Sequence, residues 1–318
     1  MNKLILIDGN AILHRAYHAY PPTLATKDGE LTNAIYGFTS TLLHVCRKFL
    51  PSHLIVAFDR KEKTFRHQQF LGYKASRPKM DDELVGQIDR TKEVVDILNL
   101  PRFELAGFEA DDILGTIAKK AQEEFDEILI VTGDKDSLQL LDKKIKVFFP
   151  SRGKTEEKIY DPVSFEAEFK FTPQQLIDFK ALAGDQSDEI PGVKGIGPKT
   201  ATQLIVDFGS VENIYKNLER IKESVRTKLE INKDNAFMSK TLATIVLDAP
   251  VDFQSSKALL SDYDKAKAIQ LFEYLEFKSL IKRLPKDTWD CMTEEVFSAD
   301  KKEDKKQKEK AENQMSLF

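Results

Sequence analysis

Residues 3–10, with the sequence KLILIDGN, indicate the fold class of this 318-residue chain. A short apolar strand over residues 3–7 ends at Asp8, and a helical pattern begins at Ala11. The same order recurs at residues 54–59 (LIVAFD) and 128–134 (ILIVTGD). Buried strands that alternate with helices predict a parallel sheet with helices on both faces.

The strand signal fades after about residue 160. Residues 172–175 (TPQQ) form a capping-box pattern that begins a helix, and helical patterns continue to about residue 275. We therefore predict an α/β domain over residues 1–165 and an all-helical domain over 166–285. Residues 300–313 are almost entirely polar, so 286–318 is predicted to be a disordered linker with an apolar end.

The composition excludes several classes of protein. No apolar run approaches the ~18 residues of a membrane span, and the N-terminus lacks the apolar stretch of a secretory signal. The two cysteines are too few for a disulfide or zinc framework, which favours a reducing, cytoplasmic setting. The net charge of −4 conceals a basic segment, because residues 60–79 hold seven Lys or Arg and one Glu. Acidic residues cluster as well, as the next paragraph describes. A basic surface beside an acidic pocket is more typical of a nuclease than of a simple DNA-binding protein.

Acidic residues follow the predicted strands, where the carboxyl ends of parallel strands form one crevice. The acids at these positions are Asp8, Asp59, Asp134 and Asp136, with Glu109, Asp111 and Asp112 at the start of a helix. Neighbouring carboxylates ionise together only when a cation neutralises them, and Mg²⁺ or Mn²⁺ prefers oxygen ligands. Two such ions can drive phosphodiester hydrolysis.

Each acid alone has a simpler explanation. The acids at 109–112 could complement the dipole of a helix, and Asp8, Asp59 or Asp134 could be an ordinary turn residue. The repeated placement of Asp after an apolar strand favours the metal site.

Residues 184–201 (GDQSDEIPGVKGIGPKTA) are the most specific stretch of the chain. A tight glycine turn that leads into a helix leaves free N–H groups and a positive helix end, which can bind phosphate. The residues of this predicted hairpin site are Gly195, Gly197, Pro198, Lys199 and Thr200. Asp185 and Asp188 lie just upstream and could reach a metal ion. A plain helix–turn–helix connection is the alternative.

These motifs resemble the 5′-nuclease domain of bacterial DNA polymerase I, in the flap endonuclease superfamily. The resemblance covers about residues 1–285 and rests on residues 7–10, 57–59, 64–67, 72–78, 107–112, 132–136 and 184–201. It implies a PIN-like α/β nuclease domain with a helical arch over about 60–90, and a helix-hairpin-helix (H3TH) DNA-binding domain. It also implies a metal-dependent 5′-3′ exonuclease and 5′-flap endonuclease of lagging-strand maturation and repair.

The resemblance implies two or more Mg²⁺ or Mn²⁺ ions. The first would be held by Asp8, Asp59, Glu109, Asp111 and Asp112. The second would be held by Asp134, Asp136, Asp185 and Asp188. Glu189 departs from the family pattern, in which Asn is more usual, and we do not expect it to bind metal.

The basic segment is expected to act on the substrate. Lys74 and Arg77 match a basic pair of the family, and their three-residue spacing on a helix would give them a common face. Lys would act on the scissile phosphate as a point charge and Arg as a bidentate donor. The resemblance implies further DNA contacts by Arg15, Arg66, Tyr73 and Gly192, with Tyr73 either stacking on a base or packing in the arch. It also allows a K⁺ ion at the hairpin.

The expected partners are branched or nicked DNA with a 5′ end or flap and RNA–DNA primer junctions, with no membrane. The final residues, Gln314, Met315, Ser316, Leu317 and Phe318, resemble a peptide that binds the replication sliding clamp. Because the sequence stops there, we expect a stand-alone, monomeric nuclease. The alternatives are a non-catalytic branched-DNA binder, a PIN-type ribonuclease and a phosphatase of small phosphoesters.

Overall fold

The computed structural model describes residues 2–151, 156–285 and 289. The linker of 300–313 and the clamp-like peptide of 314–318 therefore lie outside the described residues. Within the described part, no helix is long and apolar enough to cross a bilayer.

A six-stranded sheet forms the centre of the first half of the chain. Its strands are β1 (Lys3–Asp8), β2 (His53–Ala57), β3 (Arg102–Phe103), β4 (Glu127–Val131), β5 (Ile145–Phe149) and β6 (Lys158–Tyr160). Their order is β3-β2-β1-β4-β5-β6, and all neighbours are parallel except β5 and β6. Leu6 of β1 lies opposite Ile55 of β2 and Ile130 of β4. The order changes direction between β1 and β4, which opens a crevice at their carboxyl ends.

Fourteen helices are present in the described residues. Those of the first half are α1 (Gly9–Ala19), α2 (Asn33–Phe49), α3 (Phe65–Gln69), α4 (Asp82–Ile97), α5 (Ala110–Ala121) and α6 (Pro162–Phe169). Those of the second half are α7 (Leu176–Ala183), α8 (Pro198–Phe208), α9 (Val211–Lys216), α10 (Glu223–Ile231), α11 (Lys233–Ala243), α12 (Ser255–Ala258), α13 (Lys265–Tyr274) and α14 (Lys278–Ile281). Short 3₁₀ turns cover Lys135–Leu140, Pro173–Gln175 and Leu218–Arg220.

Apolar layers cover both faces of the sheet. Leu4 and Leu6 pack on the α5 side, whereas Ile5 and Ile7 pack on the α2 side. This explains the uninterrupted apolar run of β1, because a strand that is buried on both faces has no polar alternation. Burial of each such side chain contributes about 1.5–3 kcal/mol. The rigid sheet fixes the positions of the loops at its carboxyl edge.

The last helices return to the first half of the chain. Phe272 of α13 and Phe277 pack in the same apolar cluster as Phe38 and Leu42 of α2. The predicted helical segment of 166–285 therefore does not pack as one separate body. The helices α7, α8 and α11 surround the hairpin, while α13 and α14 complete the core beside the sheet.

The segment predicted as a helical arch is only partly helical. Residues 70–77 lie in turns between α3 and α4, and Lys74 has a left-handed backbone with φ of 53°. The expectation that Lys74 and Arg77 share one face of a helix is therefore wrong. Gly72 and Pro78 stand on either side of these two residues, and both residue types disfavour a continuous helix.

Candidate active site

A cavity of about 490 Å³ opens at the carboxyl edge of the sheet. It is lined by six of the nine predicted metal ligands, together with the two predicted catalytic cations. These residues are Asp8, Asp59, Glu109, Asp111, Asp134 and Asp188, with Lys74 and Arg77. The strand ends, the start of α5 and the loop after α7 thus bring residues that are up to 180 positions apart in sequence into one crevice.

Asp8 ends β1 and also caps α1. Its Oδ1 accepts a hydrogen bond from the backbone N–H of Ala11 at 2.9 Å, and its Oδ2 accepts one from the Thr132 hydroxyl at 2.8 Å. Burial, with the nearby charges of Asp59 and Asp134, raises the pKa of Asp8 to about 7. A carboxyl with this pKa gains from a cation beside it, because a cation stabilises the ionised form.

The acids around the start of α5 form the next part of the site. Asp59 accepts from the backbone N–H of Ala110 at 2.7 Å, and Glu109 is the residue that caps α5. Asp111 is half-buried, and its buried Oδ1 has no hydrogen-bond partner among the described residues. Burial, with Asp112 and Glu109, raises the pKa of Asp111 well above the ordinary value. A buried carboxylate oxygen without a partner is costly, so a bound cation would relieve this cost.

A lysine that the sequence reasoning missed lies within the second group of acids. Lys180 of α7 donates to Asp136 and, at 2.5 Å, to Asp185. Burial and Asp134 raise the pKa of Asp136 to about 7, although Lys180 opposes this shift. Burial acts to raise the pKa of Asp185 as well, but Lys180 and two hydrogen bonds from Ser187 outweigh it and lower this pKa to about 2. The sequence did contain a signal for Lys180, because this lysine and Asp178 are the only charged residues in the otherwise apolar helix LIDFKALA.

The two predicted catalytic cations pair with the acids of the cavity. The Nζ of Lys74 lies 2.9 Å from Glu109 Oε2 and 3.7 Å from Asp188 Oδ2. The Nη2 of Arg77 lies 2.5 Å from Asp188 Oδ1. Both cations therefore stand at the mouth of the acidic crevice, where a phosphate would approach.

The donor set fits hard divalent cations, although the ligands are not preassembled. Across residues 2–151 and 156–285, no three His, Cys, Asp or Glu side chains are close enough to form a ready-made metal shell. Lys74 and Lys180 stand between the carboxylates and neutralise them. The ligands available are all oxygens, which suit Mg²⁺, Mn²⁺ or Ca²⁺ better than softer metals. The partnerless oxygen of Asp111 and the raised pKa of Asp8 both favour an added positive charge.

Asp112 and Arg66 have a different role from the expected one. Arg66 is 1% exposed and forms a bidentate pair with Asp112, at 2.7 and 2.8 Å. Asp112 also accepts from the backbone N–H groups of Glu109 and Val246. The expectation that Arg66 contacts DNA is therefore wrong for this structure, and the oxygens of Asp112 are already occupied by protein donors. Both residues serve to join α3, α5 and the end of α11, since Arg66 donates to the carbonyls of Leu242 and Thr244.

Tyr73 and Gly192 are also buried rather than available to DNA. Tyr73 is 2% exposed, and its hydroxyl donates to Glu109 at 3.1 Å and to Asp188 at 3.2 Å. Of the two expected roles, packing in the arch is the one that the structure supports. Gly192 has φ of 62°, and a Cβ on it would lie 2.3 Å from the backbone N of Gly184. Its role is to let the hairpin close on itself.

The remainder of the hairpin lies at the surface. Gly197 caps α8 with Pro198 at its first position, and Lys199 is exposed beside them. Gly195 has φ of 84°, which only glycine adopts readily. The start of α8, whose first N–H groups have no partner within the helix, therefore lies at the surface, as a phosphate site requires. Arg15 lies elsewhere, with its side chain next to Gly133 and donating to the carbonyl of Pro150.

Two small polar residues orient the acids and were not singled out from the sequence. The Thr132 hydroxyl bonds Asp8 and accepts from the N–H of Asp134 at 3.0 Å, so it links the ends of β1 and β4. The amide oxygen of Asn10 accepts from the N–H of Asp59 at 2.9 Å. Thr132 follows β4 directly and Asn10 comes two residues after β1, which is the available signal.

Two family models together match most of the chain. The model described as "5'-3' exonuclease, N-terminal resolvase-like domain" matches residues 3–170, and "5'-3' exonuclease, C-terminal SAM fold" matches residues 171–266. The chain belongs to the 5′-3′ exonuclease family. The prediction of an α/β nuclease domain followed by a helical domain is thus confirmed.

Named relatives match about nine-tenths of this chain. The chain is 42% identical to DNA polymerase I of Caldicellulosiruptor bescii over 284 residues, which is 89% of this chain and 33% of that protein. It is 40% identical to DNA polymerase I of Bacillus subtilis over 287 residues, which is 90% of this chain and 32% of that protein. The resemblance to the 5′-nuclease domain of polymerase I is therefore confirmed. The chain spans about a third of the length of these relatives.

Solved structures share the fold. A zinc-bound T5 5′-exonuclease superposes with a TM-score of 0.65 at 22% identity, over 87% of this chain and 96% of that one. The catalytic core of Rad2 in complex with DNA substrate superposes with a TM-score of 0.60 at 17% identity, over 88% of this chain and 91% of that one. At these identities the likeness concerns the fold.

Proposed function

We propose that this chain is a divalent-metal-dependent 5′-3′ exonuclease and structure-specific 5′-flap endonuclease. It would hydrolyse DNA and the RNA of primers during lagging-strand maturation and repair. The observation that carries the proposal is the single cavity that collects six family carboxylates below Lys74 and Arg77. A non-catalytic branched-DNA binder would not need the unsatisfied oxygen of Asp111 or the raised pKa of Asp8.

The carboxylates divide into two neighbouring groups of metal ligands. One group is Asp8, Asp59, Glu109 and Asp111, and the other is Asp134, Asp136, Asp185 and Asp188. Mg²⁺ or Mn²⁺ ions held there would supply the charge that activates a water and stabilises the oxygens of an in-line phosphodiester displacement. Asp112 is left out of both groups because Arg66 and two backbone N–H groups occupy its oxygens.

The protein groups around the cavity bind and orient the strand. Lys74 and Arg77 would hold the scissile phosphate, the arginine through a pair of N–H donors. The hairpin from Gly195 to Thr200 would bind backbone phosphates of the duplex, which gives affinity without sequence readout. The basic residues Arg60, Lys61 and Lys63 line the same cavity and would attract the strand despite the net charge of −4.

Finer points of substrate and partner remain predictions. These are the preference for 5′ flaps and primer junctions, a K⁺ ion at the hairpin, contact of Arg15 with DNA, a cytoplasmic location and clamp binding by residues 314–318. Clamp binding would raise the local concentration of the nuclease at nicks, because a tethered enzyme stays near its substrate.

A cleavage assay on a labelled 5′-flap duplex tests the proposal. With Mg²⁺ we expect products that are cut near the flap junction and carry 5′-phosphates, and with EDTA we expect none. Tight binding without cleavage would favour the branched-DNA binder. Cleavage of single-stranded RNA but not of the flap would favour the PIN-type ribonuclease.

Substitution of Lys74 by Ala should slow cleavage far more than it weakens binding. We expect kcat on the flap to fall about 10²–10³-fold, as for loss of one charge-stabilising donor. The dissociation constant in Ca²⁺ should change less than about threefold, since one phosphate contact among many is lost. Lys79→Ala is the matched control, because Lys79 belongs to the same basic segment but is exposed beside Asp82. Equal losses in rate and affinity would reduce Lys74 to a residue that only steers the strand.

The affinity for divalent metal should rise with pH. Asp8 and Asp136 have pKa values of about 7, so both are largely protonated at pH 6 and must lose a proton before a cation binds. We expect the association constant for Mn²⁺, measured by calorimetry, to increase up to about tenfold per pH unit between pH 6 and 7 and to level off above pH 8. The same titration in two buffers of different ionisation enthalpy should reveal proton release. A flat pH profile would contradict these raised pKa values.

A further inference from the structure

Two segments that are far apart in sequence contact each other at the mouth of the cavity, and we call this set of contacts the clasp. We call residues 73–77 the stem and residues 185–189 the acidic loop. The backbone N–H of Lys74 donates to the carbonyl of Asp188 at 3.1 Å. The Nε of Arg77 donates to the carbonyl of Ser187 at 3.2 Å. The stem, which presents both predicted catalytic cations, is therefore attached to the loop that supplies two of the predicted metal ligands.

The strongest side-chain contacts of this clasp converge on Asp188. Tyr73 donates to its Oδ2 at 3.2 Å, and Arg77 donates to its Oδ1 at 2.5 Å. The proposed function assigns this carboxylate to a divalent cation and Arg77 to the substrate phosphate. Both side-chain contacts thus use groups that are engaged elsewhere during the reaction. The contacts that stay available are the backbone hydrogen bond from Lys74 and any side-chain contact outside the site.

Glu189 provides such a contact. Its Oε2 accepts a hydrogen bond from the backbone N–H of Ser76 at 2.5 Å. Ser76 lies between the two cations in sequence, and Glu189 does not line the cavity. Glu189 also has a left-handed backbone with φ of 57°, a conformation that glutamate rarely adopts.

The acidic loop is a firm support for this contact. Asp185 and Ile190 exchange backbone hydrogen bonds of 2.9 and 2.8 Å, which close the loop at its base. Just before this base, Gly184 lies so close to the Ile190 carbonyl and to Gly192 that neither glycine has room for a side chain. A closed turn therefore fixes the backbone from which the Glu189 side chain extends.

We propose that Glu189 is a positioning residue that holds the stem against the acidic loop. Through the Ser76 N–H it fixes the backbone between Lys74 and Arg77, so both cations stay at the mouth of the cavity when Asp188 is engaged with metal. The inference rests on the proposed function for the roles of Lys74, Arg77 and Asp188. The contact itself is independent of catalysis and can be measured without substrate or metal.

The exchange rate of the Ser76 amide hydrogen tests the contact directly. In the full chain, Glu189→Ala should accelerate exchange about tenfold or more, because a hydrogen bond to a charged acceptor is lost. Glu189→Gln keeps the acceptor oxygen at the same reach, so exchange should stay within about threefold of wild type. Glu189→Asn suits the left-handed backbone but is one methylene shorter, so it should behave like Ala. Wild-type protection of Ser76 in the Ala or the Asn variant would overturn the proposal.

Kinetics on the 5′-flap duplex test the consequence. Glu189→Ala should lower kcat about tenfold, a loss equivalent to about 1.4 kcal/mol. Mn²⁺ affinity and melting temperature should stay at the values of the exposed control Glu166→Ala. Glu189→Gln should restore most of the rate. An unchanged kcat in Glu189→Ala would overturn the positioning role, as would a loss of rate that follows a lower melting temperature. If wild type fails to cut any flap, the proposed function falls, whereas the exchange result still decides the contact.

Discussion

Substitution of Asp134 by Asn is expected to lower cleavage of a 5′-flap duplex by about 10³-fold or more. Asp134 follows β4 at the point where the strand order changes direction, and it lies in the cavity with Asp8. The asparagine keeps the size of the side chain and an oxygen that can accept from the N–H of Asp136, a contact that is 2.9 Å in the wild type. What it removes is one negative charge of the metal-binding group. The rate should therefore fall without loss of the fold.

The matched control is Asp126→Asn. Asp126 lies just before β4, at the opposite edge of the same sheet, and accepts from the N–H of Asn2. Its variant should cleave at the wild-type rate. Flap binding in Ca²⁺ should stay within about threefold of wild type for both variants, because the phosphate contacts come from the arch and the hairpin. Near wild-type cleavage by the Asp134 variant would remove that residue from the site and leave the second group of ligands unsupported.

The convergence of the acids could be predicted from the sequence because it follows from topology. A strand that ends in Asp delivers that side chain to the carboxyl edge whatever the rest of the chain does, and β1, β2 and β4 are parallel neighbours. The apolar runs of β1, β2 and β4 were long enough to identify these segments as strands. The hairpin could be predicted as well, because glycine permits a tight turn that other residues rarely adopt and proline fixes φ at the start of the next helix.

The individual roles within the acidic group could not be predicted in the same way. Asp111 and Asp112 are adjacent and chemically identical, and both begin α5. Helix geometry turns successive side chains by about 100°, so one faces the cavity and the other faces Arg66. Which of the two meets a cation depends on a partner 46 positions away. The same holds for Lys180, which only tertiary packing brings to Asp136.

The turn conformation of the stem was also beyond local reasoning. Lys74 adopts φ of 53° and Glu189 adopts φ of 57°, and neither residue type favours this region. Both conformations persist because contacts between the two segments compensate for them. Local propensity is therefore a poor guide at the place where catalytic groups are assembled.

The second large effect is expected on stability. Arg66→Met should lower the free energy of unfolding by about 3–5 kcal/mol, because it leaves the buried charge of Asp112 without its partner. Arg66 is the largest fully buried side chain among the described residues. Its guanidinium donates four hydrogen bonds, to Asp112 and two backbone carbonyls, so methionine fills the space but leaves several acceptors unsatisfied. Urea unfolding in EDTA measures the loss.

Two further measurements separate a structural role from a metal-binding role at the start of α5. They are the stability of a control variant and the number of bound Mn²⁺ ions. Lys63→Met removes an exposed cation of the same basic segment and should leave stability within about 0.5 kcal/mol of wild type. Asp112→Asn should be destabilising like Arg66→Met yet keep the wild-type number of bound Mn²⁺ ions, because Asp112 has no free oxygen to offer. Asp111→Asn should keep the stability of wild type but lose a bound Mn²⁺ ion, since its partnerless oxygen is available to a cation. If Asp112→Asn instead loses a bound ion at unchanged stability, Asp112 is a metal ligand. The assignment of Asp111 to the metal and of Asp112 to Arg66 would then be wrong.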